Sequence, residues 1–275
     1  MKFSEGRIVI LSIALLLLCF PFIAFTSHVE ARETITCGKL DNPVTIDGKW
    51  TSEHEWVDAF QISIGFIQGS GEAYFKAKHD DNYLYALIDF VSDIESQEAD
   101  TGAVVIDSKN NGGSTPQTDD FVLLGRWNSP TEFNNVIAWG TGTAWGSFMG
   151  LTGGFKVACS KDAANDPYSS SAHLIYEFQI PMSELDPTGI GIYAAAFDRE
   201  VNRGVWPSAP MENPSQYGYM KFTTQVIPEF STATSMVLLL LLGVASLVLR
   251  YPKAIRRSFY RNTSSVLPSI RGQET

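Results

Sequence analysis

The stretch V-T-I-D-G-K-W-T-S-E-H-E-W, residues 44–56, indicates how this chain folds. Its first three residues favour extended backbone. Asp47-Gly48 then favours a tight reversal because glycine tolerates positive φ. A short polar turn follows, and Trp50 and Trp56 are expected to be anchors in a core. A strand, a reversal, a polar turn and a buried Trp are typical of the start of a β-sandwich.

Alternating apolar and polar residues, broken by turn residues, continue through residues 33–225 and predict one all-β domain. Glu72–His79 and Tyr83–Val91 alternate on either side of Asp80-Asp81-Asn82 and predict a hairpin. Further strands are expected over residues 102–107, 120–126, 133–139, 155–159, 173–180, 190–197 and 217–222. Between them lie polar or glycine-rich loops over residues 108–118, 140–154 and 161–171. About ten to twelve strands in all predict a two-sheet antiparallel β-sandwich.

The first 31 residues predict a signal peptide. Lys2 and Arg7 precede an apolar run from Ile8 to Phe25, and small residues near Ala31 suit signal peptidase. A retained N-terminal anchor is the alternative.

A second apolar run, residues 233–249, carries no charge and predicts a transmembrane helix of about 25 Å. Five basic residues follow: Arg250, Lys253, Arg256, Arg257 and Arg261. They predict that residues 250–275 form a cytoplasmic tail and that the domain lies outside the cell membrane. In the linker, residues 226–232, Pro228-Glu229-Phe230 resembles the PEF-type sorting signal of archaeal surface proteins. Such signals usually end sooner than Thr275, so a plain stalk is the alternative.

The exported region is strongly acidic. The whole chain carries −10, residues 1–31 balance to zero, and the tail has six basic residues and one glutamate, so residues 32–249 carry −15. This charge disfavours nucleic acid and anionic lipid as partners.

Two of the three cysteines, Cys37 and Cys159, remain after export and predict a disulfide outside the cell. Cys19 leaves with the signal peptide. A structural zinc site is not expected, because two cysteines without suitably spaced histidines are too few ligands.

The segment from Tyr176 to Tyr219 agrees with the opening stretch. It reads Y-E-F-Q-I-P-M-S-E-L, then G-I-G-I-Y-A-A-A-F-D-R-E, then V-W-P and Q-Y-G-Y-M. Together the two segments resemble family 9 carbohydrate-binding modules and their DOMON-like relatives. The resemblance implies an immunoglobulin-like sandwich that binds a glycan or polysaccharide without cleaving it. Such modules are commonly attached to glycoside hydrolases, so a role in carbohydrate catabolism beside such an enzyme is the expectation.

Sugar recognition needs flat aromatic platforms and planar polar groups at their rim. The candidate platforms are tryptophans in loops and at strand ends: Trp206, Trp145, Trp139 and Trp127, with Trp206 and Trp145 leading. The candidate rim groups are clustered before Trp206: Asp198, Arg199, Asn202 and Arg203.

Acidic loop clusters are candidates for structural calcium, which takes six to eight oxygen ligands. We predict Asp107, Asp119 and Asp120 as metal ligands, and the resembled modules often carry structural calcium. The chain contains no recognisable catalytic motif, so we predict that it is not an enzyme.

Two other functions remain open. One is a structural surface-layer protein without a small ligand. The other is a non-covalent haem-binding redox module with axial ligands from His79 or His173 and methionines. The candidate methionines are Met149, Met182, Met211 and Met220. Haem is the less favoured alternative because no c-type attachment motif is present.

Overall fold

A computed structural model of the chain describes residues 32–199 and 202–225. This part contains fourteen β-strands and two short 3-10 turns. The strands are β1 (Thr34–Cys37), β2 (Phe60–Ser63), β3 (Gly65–Gln68), β4 (Tyr74–His79), β5 (Tyr83–Phe90), β6 (Thr101–Asp107), β7 (Asp120–Ser129), β8 (Glu132–Trp139), β9 (Met149–Gly150), β10 (Lys156–Asp162), β11 (His173–Pro181), β12 (Gly189–Phe197), β13 (Arg203–Trp206) and β14 (Gly218–Phe222). The turns are Met182–Glu184 and Pro214–Gln216.

The strands form two sheets. The larger sheet has the order β1-β14-β12-β6-β7-β8-β9, and β13 extends it by pairing with both β12 and β3. The smaller sheet has the order β10-β11-β5-β4-β2. Every pairing between strands is antiparallel except the parallel pair of β1 and β14.

A large apolar core fills the space between the sheets. Ile190, Ile192 and Ala194 of β12 face it, as do Val104 and Ile106 of β6, because alternate residues of a strand point to the same face. From the smaller sheet, every second residue of β5 and β11 meets them. The predicted two-sheet all-β sandwich is confirmed, with more strands in the described part than the ten to twelve expected. The predicted hairpin is also confirmed: β4 and β5 pair with each other in antiparallel fashion.

The opening segment, residues 44–56, covers the side of the smaller sheet that faces away from the core. Trp50 and Trp56 are fully buried there, as predicted. Gly48 has a φ of 79°, which confirms the reversal at Asp47-Gly48. The turn carries no regular helix among residues 51–56.

Glu177 of β11 joins the two sequence segments that carry the family resemblance. Its Oε2 accepts hydrogen bonds from Asp47 N (2.8 Å) and Gly48 N (2.7 Å), and its Oε1 accepts one from Trp56 Nε1 (3.1 Å). Glu177 is fully buried, because the opening segment lies over it. Asp47, Gly48 and Trp56 are therefore donors to one buried carboxylate.

The predicted disulfide is wrong, because both cysteines are free thiols. Cys37 lies on β1, next to β2 and β4, whereas Cys159 lies on β10, next to β7 and β8. The two strands are at opposite edges of the sandwich. Burial raises the pKa of both thiols.

The predicted signal peptide, linker, transmembrane helix and tail lie outside the described residues. Within residues 32–199 and 202–225, none of the helices has the length and apolarity to cross a bilayer.

Candidate functional site

The side of the larger sheet that faces away from the core is here called the outer face. Its side chains come from alternate residues of β12, β6, β7 and β8, joined at one end by β13, and they lie in four rows across the sheet. The rows follow directly from the strand registers. At about 3.4 Å per residue, the first and last rows are about 20 Å apart.

The first row, here called the arginine row, joins Arg203, Phe197, Thr101, Arg126 and Asn134 across five strands. Both arginines are exposed, and the Phe197 ring between them is half-buried. The Arg203 guanidinium lies 5.1 Å from the centre of the Phe197 ring, as in a cation–π pair. At about 4.8 Å per strand, the two arginines are about 14 Å apart at the backbone, which leaves room for a sugar ring.

The next two rows are apolar and form the floor of the outer face. The fully buried residues of these two rows are Ala103, Val105, Val122, Ala138, Tyr193 and Ala195. Leu124, Phe197, Trp145 and Met211 pack against it and are half-buried. The outer face therefore combines a closed floor with a partly exposed apolar rim.

Two polar atoms of this face are buried without a hydrogen-bond partner among the described residues. They are Nε1 of Trp145 and the hydroxyl of Tyr193. Burial raises the pKa of Tyr193, and the neighbouring guanidinium of Arg203 opposes the rise. Buried polar groups normally have partners, so these two atoms are exceptions within the floor of this face.

The last row, here called the acid cluster, carries Asp107 and Asp120, which face each other on β6 and β7. With Asp119 they place one carboxylate oxygen each within 4.8 Å of one another. The predicted set of metal ligands is therefore brought together. Its metal binding remains a prediction.

Burial governs the electrostatics of the acid cluster. It raises the pKa of Asp120 to about 7, and the charges of Asp107 and Asp119 add to the rise against one backbone hydrogen bond from Gln117. Burial also raises the pKa of Asp107, opposed by hydrogen bonds from Gly112 and Asn111. A bound cation would remove this penalty by neutralising the carboxylates.

The prediction that Trp206 forms an exposed platform is wrong. Trp206 is 5% exposed, stacks on Phe75 in the main core, and donates its Nε1–H to Glu33 Oε2 at 2.8 Å. Trp206 is the last residue of β13, where strand alternation directs its side chain between the sheets. The ring packs closely on Gly218, because an added Cβ there would lie 2.6 Å from it. A polar loop precedes it in sequence, but strand pairing with β12 fixes its direction.

The other predicted tryptophans are divided between the two sides of the larger sheet. Trp127 and Trp139 are half-buried against the main core, and Trp127 donates its Nε1–H to Cys159 Sγ at 3.3 Å. Only Trp145 lies against the outer face. It follows the tight turn in which Thr141 N donates to Ala144 O, and it bridges to Gly140.

Among the predicted rim groups, Arg203 alone belongs to the outer face. Asp198 is half-buried just after β12, and its charge contributes to the raised pKa of the buried Asp93. Arg199 and Asn202 lie in the loop between β12 and β13, where Arg199 N donates to Asp100 Oδ1. Sequence reasoning missed Arg126 and Phe197, although alternation along their strands could have placed both on this face.

The side of the smaller sheet that faces away from the core is covered by residues 44–56 and by the loop of residues 161–171. His173 is completely buried there, with Nε2 2.6 Å from Asp89 Oδ1 and 3.2 Å from Asp166 Oδ2. Its Nδ1 lies 2.8 Å from Ser171 O. Burial lowers the pKa of His173, but Asp89 and Asp166 outweigh it and raise the pKa. The cluster ties this loop to β5 and β11.

The candidate histidines do not fit a haem site. Both ring nitrogens of His173 are engaged, as are those of His79, which lie against Asp80 O and Thr223 O. Met220 is fully buried in the main core. An axial ligand needs a nitrogen or sulfur atom directed at an open space, which His79, His173 and Met220 do not offer.

A family 9 carbohydrate-binding module from Caldicellulosiruptor kristjanssonii in complex with cellotriose matches 70% of this chain and 95% of its own, with 16% identity and a TM-score of 0.50. A structure of a family 9 module from the same organism in complex with glucose matches 73% of this chain and 100% of its own, again with 16% identity and a TM-score of 0.50. The fold is similar to that of family 9 carbohydrate-binding modules. No protein-family model and no curated protein sequence matches the chain at a significant level.

Proposed function

We propose that this chain is a non-catalytic carbohydrate-binding module that holds a glycan on the outer face of its larger sheet. The observation that carries the proposal is the arginine row, in which exposed Arg203 and Arg126 lie on either side of the half-buried Phe197. Guanidinium groups offer planar, fixed donors to sugar hydroxyls. The half-buried Trp145, toward the acid cluster, supplies an aromatic ring for the apolar face of a pyranose.

The fold supports this proposal, because the similar modules were solved with cellotriose and glucose. We further propose that the domain is exported and held at the cell membrane by residues 233–249, with the tail in the cytoplasm. Outside the cell, the domain would serve carbohydrate catabolism beside a glycoside hydrolase. The charge pattern after Leu249 supports this arrangement.

The test is calorimetric titration of the purified full chain with glucose and cellotriose. We expect Arg203→Ala to weaken binding about tenfold or more, because a hydrogen bond from a charged group contributes about 1.5–3 kcal/mol. Trp145→Ala should weaken it at least as much, since it removes a stacking face. Thermal midpoints should change little for Arg203→Ala.

Lys156→Ala is the matched control, since Lys156 is an exposed cation on the smaller sheet. It should bind as the parent does. If neither sugar binds the parent, or if Arg203→Ala and Trp145→Ala both keep the parent affinity and fold, the outer face is not the binding site. A structural surface-layer role would then be favoured.

A further inference from the structure

The exposed arginines of the domain gather at one end of the outer face. The part of the chain that the structure describes contains four arginines, and of these only Arg32 is not exposed. Arg126 and Arg203 belong to the arginine row. Arg199 lies just beyond this row, two residues after Phe197 in the loop between β12 and β13. One end of the larger sheet therefore carries three exposed guanidinium groups.

These three arginines border Phe197 from three sides. Arg203 of β13 places its guanidinium 5.1 Å from the centre of the Phe197 ring. Arg126 of β7 lies two strands away from Phe197 in the same row. The backbone N–H of Arg199 donates to Asp100 Oδ1 at 3.0 Å, which holds the loop beside the start of β6. Strand pairing and this hydrogen bond thus place three cations around one patch of surface.

Acidic side chains do not neutralise this end of the face. No ion pair joins any of the three arginines to a carboxylate among the described residues, and Glu132, exposed on β8, forms none either. Asp93 and Asp100 are buried, and burial raises the pKa of both, to about 8 in Asp93. A raised pKa reduces the negative charge of a carboxyl group near pH 7, whereas a guanidinium stays charged.

The charge of the outer face changes along the strands. Residues 32–249 carry −15 in total, yet the arginine row and Arg199 make one end of this face cationic. The acid cluster lies about 20 Å away at the other end. A negative group on a ligand is therefore attracted at the arginine end and repelled at the other. The two ends together orient a charged ligand along the strands.

Guanidinium groups have a shape that suits carboxylates. The planar fork of an arginine donates two parallel hydrogen bonds to the two oxygens of one carboxylate. Phe197 holds the Arg203 fork by the cation–π contact, so less side-chain freedom is lost when a ligand binds. Arg126 and Arg203 are about 14 Å apart at the backbone, so they can bind carboxylates of separate sugar units.

We propose that the glycan on the outer face is anionic, and that Arg126, Arg199 and Arg203 bind the carboxylates of its hexuronic acid units. This inference rests on the proposed function, because it assigns a charge to the ligand of the same face. Neutral sugars such as cellotriose use only the hydroxyl contacts of this face, so they are expected to bind more weakly.

The test compares two trisaccharides that differ only at C6. Cellotriose is titrated by calorimetry into the purified full chain. In parallel, β-1,4-linked triglucuronate is titrated, which carries a carboxylate in place of each C6 hydroxymethyl group. We expect triglucuronate to bind at least about tenfold more tightly, because hydrogen bonds to charged groups are stronger than neutral ones. Cellotriose sulfated at C6 is the third ligand and should bind more weakly than triglucuronate.

Arg126→Gln and Arg199→Gln separate charge from hydrogen bonding. Glutamine still donates to hydroxyls, so the affinity for cellotriose should change by no more than about twofold, whereas the affinity for triglucuronate should fall about tenfold. Lys156→Gln removes the same charge from the smaller sheet and should keep the parent's ratio of the two affinities. All three residues are exposed, so the thermal midpoints should stay close to that of the parent.

Equal affinity of the parent for cellotriose and triglucuronate would overturn the inference and leave the proposed function in place. An unchanged ratio in both Arg126→Gln and Arg199→Gln would also overturn it, since the preference would then arise elsewhere on the domain. Binding of the sulfated trisaccharide as tight as that of triglucuronate would refute the assignment to carboxylates. No binding of any of the three ligands would refute the proposed function itself.

Discussion

At the scale of single residues, Glu177 connects two distant stretches of the sequence, because it accepts hydrogen bonds from Asp47, Gly48 and Trp56. Burial raises the pKa of Glu177 to about 8, and the hydrogen bonds from Gly48 and Asp47 oppose the rise. Each of its two oxygens accepts at least one N–H donor, and the opening segment is fixed on the smaller sheet through these bonds. The sequence pattern predicted the reversal and the buried Trp56, but the carboxylate that binds both lies more than 120 residues further along the chain.

We predict that Glu177→Gln destabilises the fold by about 1–3 kcal/mol, because the amide group must direct an N–H at one of these donors. This loss corresponds to a fall of roughly 2–12 °C in the thermal midpoint. Differential scanning calorimetry measures it. Glu132→Gln, an exposed change on β8, is the control and should stay within about 0.5 kcal/mol of the parent. A midpoint for Glu177→Gln equal to that of the control would contradict this role.

At the scale of elements, strand alternation predicted the hairpin of β4 and β5 and most of the later strands. It failed where long-range pairing decides the direction of a side chain. Trp206 follows a polar loop, which favours exposure, yet β13 pairs with β12 and turns the ring into the core. The parallel pair of β1 and β14 brings together strands from the two ends of the domain, and no local pattern indicates it. Asp107 and Asp120 lie together as predicted, because Asp107 is the last residue of β6 and Asp120 is the first residue of β7, the next strand along the chain.

Close packing between β13 and β14 gives a prediction about one glycine. Gly218→Ala should destabilise the domain by about 1–3 kcal/mol, because its Cβ would lie 2.6 Å from the Trp206 ring and force it aside. Gly65→Ala on β3 is the matched control, since its Cβ would meet only Val205 O at 3.9 Å. Urea unfolding of both variants measures the difference. Equal midpoints would show that the ring can move without loss of packing.

At the scale of the whole molecule, buried carboxylates give stability a common dependence on pH. Burial raises the pKa of Asp93 to about 8, with the charges of Asp100 and Asp198 adding to the rise. Among the described residues, burial is also the main cause of a raised pKa in six other carboxyl groups: Glu55, Asp100, Asp107, Asp120, Asp166 and Glu177. A folded state with a raised carboxyl pKa holds its proton to higher pH than the unfolded chain does. The stability from each such group is therefore complete below pH 4 and is lost as pH rises.

We predict that the free energy of unfolding, measured by urea titration in EGTA, falls between pH 5 and pH 8. Asp93→Asn should flatten this dependence by up to about 1.4 kcal/mol per pH unit, because the amide has no proton to lose. Asp81→Asn is the control: Lys39 lowers the pKa of Asp81, so its contribution is lost only in acid and stays constant over this window. Stability that rises toward pH 8 in the parent would refute the prediction.

The position of β14 bears on how the domain would carry mechanical load. β14 lies between β1 and β12, and the chain just after it is held by Thr223 N to Cys37 O (3.0 Å) and by Lys39 N to Gln225 O (3.1 Å). Inter-strand hydrogen bonds run across the strands, so a pull on Gln225 along β14 strains both ladders in shear. Many bonds then resist together, whereas a strand peeled from a free edge breaks them one at a time. A module that binds a polymer at one end and is anchored at the other would resist unfolding longest when the tension runs along β14.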